Sequence, residues 1–266
     1  MRLSVIVIAR NEEQAIARCL ESVRFADELI VLDGGSTDRT VEICESRGAR
    51  VVHAPDWPGF GPQKNRALSL ATGDWVLSID ADEWVSPELA SEIGQAVESQ
   101  RGADAYELPR LSSFCGRFIR HAGWWPDYVV RLFRRGTARF SNDAVHERLI
   151  VDGRIGRLQG LLMHESIRDL EDALGKVNRY STESAAMLHE QGRRATLAKA
   201  ILRGGWTFVR TYLLRAGFLD GREGFMVAVY AAENTFHKYL KLMLLRQRPA
   251  APGAPAAAQA RRDDSA

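Results

Sequence analysis

The run Ser78-Ile79-Asp80-Ala81-Asp82-Glu83 closes a short apolar segment with three carboxylates. Residues two apart in an extended chain point to the same side, which places Asp80 and Asp82 to converge on one cation. An all-oxygen carboxylate site suits Mg2+ or Mn2+ rather than zinc, and such an ion also takes diphosphate oxygens. A solvated acidic turn has the same spelling, so the surroundings must decide. Arg10, Asn11 and Glu12 follow the apolar run at 3–8, Asp33 follows the run at 28–32, and Lys64 stands in Gly59-Phe60-Gly61-Pro62-Gln63-Lys64-Asn65 ahead of a helix. Asp33 precedes two glycines, where its carboxylate can reach a nucleoside base or a ribose hydroxyl; capping its own turn is the alternative. Lys64 suits a base or a phosphate, with a solvated helix lysine as the alternative. Trp124, Trp125, Asp127 and Arg131 form a second group. Aromatic faces pack on sugar rings and arginine pairs with phosphate or carboxylate, so these four read as a wall for a saccharide acceptor, against ordinary core packing.

These residues need a scaffold that brings strand ends together. Segments 3–8, 28–32, 50–53 and 74–79 are short and apolar, and stretches 12–23, 38–47, 62–71 and 87–99 between or after them read as helices, the last opened by Ser86-Pro87. Strands alternating with helices predict a mainly parallel, Rossmann-like α/β sheet covered on both faces, with ligands at the carboxyl ends of its strands. After residue 103 the pattern changes: 104–112, 128–134, 145–151 and 155–163 alternate like antiparallel strands. Three helical stretches follow, at 169–191, 195–216 and 222–246. The last residues, PAAPGAPAAAQARRDDSA, have a disordered composition. The expected organisation is a catalytic domain at 1–168, a helical extension at 169–248 and a disordered tail at 249–266.

Composition narrows the class. The 266 residues, 45% hydrophobic and 26% charged, suit a globular chain. Cys19, Cys44 and Cys115 are far apart and form no metal or disulfide pattern. The apolar run Leu3–Ala9 is too short for a signal peptide, and no stretch of about 18 apolar residues predicts a spanning helix. A dehydrogenase would carry G-x-G-x-x-G after the first strand, and a nucleotidyltransferase a glycine-rich phosphate loop; Arg10-Asn11-Glu12-Glu13 stands there instead. The net charge of +2 hides an asymmetry: residues 1–192 hold 23 Lys/Arg against 29 Asp/Glu, and residues 193–248 hold 11 against 3. The basic segment is also rich in Leu, Phe, Trp and Tyr, with Arg203, Arg210 and Arg215 among them. It predicts helices lying on an anionic membrane surface, not a nucleic-acid partner; packing on the core or in a dimer is the alternative.

Three segments in order, SVIVIARNEE, VLDGGSTDRT and GDWVLSIDADE, resemble glycosyltransferase family 2 with its GT-A nucleotide-sugar-binding fold. Later stretches, HAGWWPDYVVRLFRRG, AVHERL, LMHESIRDLEDALGKVNRYS and GFLDGREGF, resemble the lipopolysaccharide core branch of that family. The resemblance implies an inverting, metal-dependent hexosyltransferase that uses a nucleotide-sugar donor, UDP-glucose by family habit, and a lipid-linked saccharide acceptor. Arg10, Asn11, Glu12, Asp33, Lys64 and Asp80 are the expected contacts of the nucleotide sugar; the resemblance implies that Asp33 contacts the nucleoside and that Asp82 ligates the metal with Asp80 close by. His164 falls where many such enzymes place a histidine on the metal. Glu147 of Val145-His146-Glu147 is the implied base, although the family more often has Glu-Asp there. The enzyme would act in the cytoplasm, peripherally on the inner face of the membrane. A catalytically inactive scaffold that only binds nucleotide sugar is the competing reading, and the retained Asp80, Asp82 and Glu147 argue against it.

Overall fold

The computed structural model describes residues 1–99, 102–141 and 148–245. They divide into two compact units at Asp169/Leu170. The first unit alternates β1 (Leu3–Ala9), α1 (Ile16–Ser22), β2 (Glu28–Asp33), α2 (Thr40–Ser46), β3 (Arg50–His53), α3 (Phe60–Leu70) and β4 (Trp75–Asp80). Then come β5 (Glu83–Val85), α4 (Pro87–Glu98), β6 (Ala105–Phe114), β7 (Arg117–Phe118), β8 (Tyr128–Arg134), β9 (Ala138–Phe140), β10 (Leu149–Val151), β11 (Ile155–Arg157) and β12 (Leu162–Ile167). The main sheet runs β3-β2-β1-β4-β8-β6-β12-β5. Its first four strands are parallel, and β8 lies antiparallel to both β4 and β6.

Strand β1 shows why the sheet forms. All of LSVIVIA is buried, as expected of a parallel strand covered on both sides. Val5 and Val7 join α1 and α4 residues such as Ile16, Leu20, Leu89 and Ile93 in one core. Ile6 and Ile8 face the opposite core, with Ile30, Leu32 and Ala67 of α3. Chain order reverses between β1 and β4, the switch point where such sheets bind ligands at their carboxyl ends. The register sets Ala9 beside Asp33 and Ile8 beside Asp80.

Several expected elements change on folding. The helix expected over 12–23 begins only at Ile16, because Asn11 is left-handed (φ 57°) and a turn follows it. The segment 155–163, read as one antiparallel strand, is two short strands, and both β11 and β12 run parallel to β6. They are separated where the amides of Gln159 and Gly160 donate to Glu92 of α4. Gly160 lies so close to Leu89 that a Cβ there would sit 2.4 Å from the helix backbone. The expected strand at 145–151 is described only from residue 148 onward; β10 pairs antiparallel with β9 in a separate ribbon.

The second unit holds α5 (Leu170–Glu190), α6 (Leu197–Val209) and α7 (Gly221–Leu245). Thr196 caps α6 by accepting the Lys199 amide. The helix expected over 195–216 breaks into α6, a π-helical turn at Arg210–Leu214 and a 3-10 turn at Gly217–Asp220. Ala216 is left-handed, and Gly224 of α7 packs directly on the Gly217 carbonyl, a contact any side chain would block. Lys241 Nζ pins α7 to α5 through the Asn178 carbonyl and side chain, Ser181 and Thr182, at 2.7–2.9 Å. Among the described residues no helix is long and apolar enough to cross a membrane. The tail expected at 249–266 lies outside them.

Candidate active site

The carboxyl ends of β1 and β2 are stitched together before any ligand arrives. Asn11 accepts the Thr37 amide on its side chain at 2.8 Å, and its own N–H donates to Ser36 Oγ at 2.9 Å. The Glu12 N–H donates to Thr40 Oγ1 at 2.7 Å. The Asn11 side chain, expected on the nucleotide, is therefore used to tie two loops. Arg10 is exposed at the same edge. Asp33 ends β2 fully buried. It accepts the Gly35 and Ser36 amides at 3.1 Å, and His53 Nδ1 lies 3.2 Å away. Burial alone would raise its carboxyl, but bonds from Ser36, His53 and Gly35 outweigh this and hold it below the usual carboxylate range. The capping role weighed for Asp33 is thus present in the fold.

The end of β4 departs from the expected convergence. The strand stops at Asp80 and residues 81–82 turn, so the two-residue alternation of an extended chain fails there. Asp80 is engaged by two cationic side chains. Its Oδ1 receives Lys64 Nζ at 2.9 Å and its Oδ2 receives Arg131 Nη2. Burial would raise this carboxyl, but the Arg131 and Lys64 charges outweigh it and press it well below the carboxylate range. Lys64, expected to meet a base or phosphate, is 3% exposed and directed at Asp80.

Arg131 also corrects an expectation. It is not part of an exposed acceptor wall but is 8% exposed, with Nη2 shared between Asp80 and Glu83. Its placement follows from β8 lying next to β4. Glu83 is completely buried: Oε2 accepts the Asp80 N–H at 3.0 Å, and Oε1 takes Arg131 at 2.9 Å and Arg110 at 3.3 Å. Arg110 in turn reaches Asp127 Oδ2 through Nε and Nη2, at 2.9 and 2.8 Å. Trp124 and Trp125 remain half-buried, the first edge-on to Phe114 and the second beside Arg120.

Asp82 meets the β6–β12 pair instead. His164 of β12 has Nε2 3.4 Å from Asp82 Oδ2, and its Nδ1 is 2.9 Å from Ser112 Oγ of β6. A hydroxyl accepting the Nδ1 proton leaves the Nε2 lone pair directed at the Asp82 carboxylate, the arrangement a metal-binding histidine requires. Among the described residues no three His, Cys, Asp or Glu side chains gather to hold a metal by themselves. The Asp82–His164 pair therefore fits a cation whose remaining ligands come from a diphosphate and water, as Mg2+ and similar ions prefer. Glu147 lies outside the described residues.

Comparison with known proteins decides the family. Residues 4–146 match Glycosyl transferase family 2. An uncharacterized glycosyltransferase of Rickettsia typhi is 33% identical over 258 residues, covering 92% of this chain and 87% of its own. The chain belongs to glycosyl transferase family 2. It is a glycosyltransferase by that membership, with the GT-A fold and a helical C-terminal region. The lipopolysaccharide core biosynthesis glycosyltransferase LpsC of Rhizobium meliloti is similar at 29% identity, over 93% of this chain and 95% of its own. Among solved structures, S. aureus TarS with UDP-GlcNAc covers 93% of this chain and 92% of its own at 16% identity and TM-score 0.49.

Sequence reasoning missed Glu83, Arg110 and Ser112. Glu83 was legible as a third carboxylate after Asp80 and Asp82, but a surface turn was its natural reading. Arg110 and Ser112 lie two apart on β6, but Ser113 follows directly, so no clean alternation marked them.

Proposed function

We propose that this family 2 enzyme is an inverting, metal-dependent hexosyltransferase. It moves a hexose from UDP-glucose, or a closely related nucleotide sugar, to a lipid-linked core saccharide. The observation that carries the reading is the Asp82–His164 pair at 3.4 Å, with Nδ1 fixed by Ser112, at the sheet's switch point. Mg2+ or Mn2+ held by Asp82 and His164 would offset charge on the departing nucleoside diphosphate. Asp33 and Arg10 border the nucleoside end. Asp80, held by Lys64 and Arg131, presents a fixed negative charge beside the nucleotide, 31% of its side chain still open. Trp124, Trp125 and Asp127 flank the acceptor. In the reaction, the acceptor hydroxyl oxygen bonds to the anomeric carbon while the bond from that carbon to the phosphate oxygen breaks. The hydroxyl proton passes to Glu147 and the nucleoside diphosphate leaves, so one displacement inverts the centre. Similarity to LpsC along nearly the full length supports the core saccharide acceptor.

The helical unit supports a place at the inner face of the cytoplasmic membrane. Leu202, Trp206, Leu213, Leu214, Phe218 and Leu219 are each about half exposed or more. Arg203, Arg210, Arg215 and Arg222 are exposed beside them, while the nearby acids Asp220 and Glu223 are buried. Apolar surface framed by Arg203, Arg210 and Arg215 matches an anionic bilayer. Thermal shift with a nucleotide-sugar panel in Mn2+ tests the donor, and transfer to core oligosaccharide tests the acceptor. Stabilisation by UDP-glucose and its transfer are expected; stabilisation only by a non-uridine donor would overturn the donor assignment.

A further inference from the structure

Strand β6 touches both halves of the site with alternate residues. Ser112 holds His164, and Arg110, two residues earlier, holds Asp127. The backbone repeats the link: the Arg110 N–H donates to the Asp127 carbonyl at 2.7 Å. Arg110 is three-quarters buried and spans two carboxylates, Glu83 behind Asp80 and Asp127 at the surface. The result is a chain of alternating charges, Lys64–Asp80–Arg131–Glu83–Arg110–Asp127, neutral in sum. Three of its members open to solvent: Asp80 at the donor end, with 31% of its side chain exposed, Arg110 at 24%, and Asp127, the last of the chain, at 38%.

A chain of buried charges is a poor way to gain stability, since well-packed apolar residues serve as well or better. What it supplies is orientation. Both Arg110 bonds fall on Asp127 Oδ2, and among the described residues Oδ1 has no hydrogen bond. One oxygen anchors the carboxylate while the other remains available to a ligand hydroxyl. Trp124 and Trp125 stand three and two residues before it, giving an apolar face next to a fixed acceptor of hydrogen bonds, a combination that fits a saccharide.

We propose that Arg110 is a positioning residue that fixes Asp127 for an acceptor sugar hydroxyl, and that β6 thereby sets the metal-side histidine and the acceptor-side carboxylate on one rigid strand. The proposal rests on the glycosyl-transfer reading for its substrate but not for its geometry. Four measurements on Arg110→Gln, Arg110→Lys and Asp127→Asn test it. In Arg110→Gln, hydrogen exchange over residues 121–128 should rise while β4 is unchanged. The affinity for UDP with Mn2+ should stay within about twofold of the parent in all three variants. The KM for core oligosaccharide should rise on the order of tenfold in Arg110→Gln and Asp127→Asn, the loss of one hydrogen bond to a charged group. Hydrolysis of UDP-glucose by water should be spared, and Arg110→Lys should recover part of the acceptor KM. Unchanged exchange over 121–128 overturns the positioning role. Parallel loss of UDP affinity and hydrolysis also overturns it, assigning the chain to the donor side. A parent enzyme that binds UDP but transfers to no saccharide sinks the functional reading, while the exchange experiment still decides the geometry.

Discussion

The two units treat charge and apolar surface in opposite ways. In the first unit one set of charges is turned inward and matched: Glu83 is fully buried between Arg131 and Arg110, and Asp80, partly open, is held between Lys64 and Arg131. In the helical unit the arginines point out and the leucines point out with them, from Leu202 to Leu219. Buried, paired charges hold a fixed geometry for chemistry. Exposed cations next to apolar side chains suit a fluid, anionic partner. The same residue type, arginine, therefore does two different jobs in one chain, and burial distinguishes them.

The comparison breaks most easily at the chemistry. Glu147→Gln keeps shape but accepts no proton, and turnover should fall about 10²–10⁴-fold with UDP affinity retained. Full activity in that variant, with loss at Asp127→Asn, would move the base to Asp127. Next comes the inward arginine. Arg131→Met strands Asp80 and Glu83 without their shared cation, and roughly 3–5 kcal/mol of stability should be lost in denaturant unfolding. Arg210→Gln in the helical unit should change stability by no more than about 0.5 kcal/mol. Equal costs at the two positions would erase the distinction between the units.

The outward arginines should instead show in binding to vesicles. Each is worth about 1 kcal/mol near an anionic surface. Replacing Arg203, Arg210 and Arg215 with Gln should therefore weaken co-sedimentation with anionic liposomes about 100-fold. High salt should release the parent protein, since the attraction fades within a Debye length. Intact protein that ignores anionic vesicles at low salt would return these helices to a core or dimer interface.

The smallest effect is in acid. The Asp33 carboxyl titrates lower in the folded chain than in the unfolded one. Its contribution is complete above the unfolded value of about 4 and is lost as pH falls through the folded value. Asp33→Asn should flatten the decline of stability below about pH 4. An unchanged acid limb would show that the turn bonds carry no charge-dependent stability.

Local pattern made part of this legible. The apolar runs ending in Arg10, Asp33 and Asp80 were strands in the right order, because both-face burial leaves continuous aliphatic spelling. Asp82 and His164 were named by family resemblance and lie together in the fold. What failed was anything that depended on pairing across the sheet. Arg131 reads as an exposed arginine near tryptophans until β8 is laid beside β4. Asp80 and Asp82 read as one cluster until β4 ends between them. Glu83, Arg110 and Ser112 gain their roles mainly from neighbours 17 to 52 residues away, separations that no periodicity encodes.

The central claim is that Asp82 and His164 form the cation site through which this enzyme holds its nucleotide sugar. Calorimetric titration of UDP, with and without Mn2+, into the parent and Asp82→Asn proteins addresses it directly. In the parent, Mn2+ should tighten UDP binding by at least about tenfold, 1.4 kcal/mol, while Asp82→Asn should bind UDP equally weakly with or without the ion. The same Mn2+ enhancement in Asp82→Asn as in the parent would contradict the account.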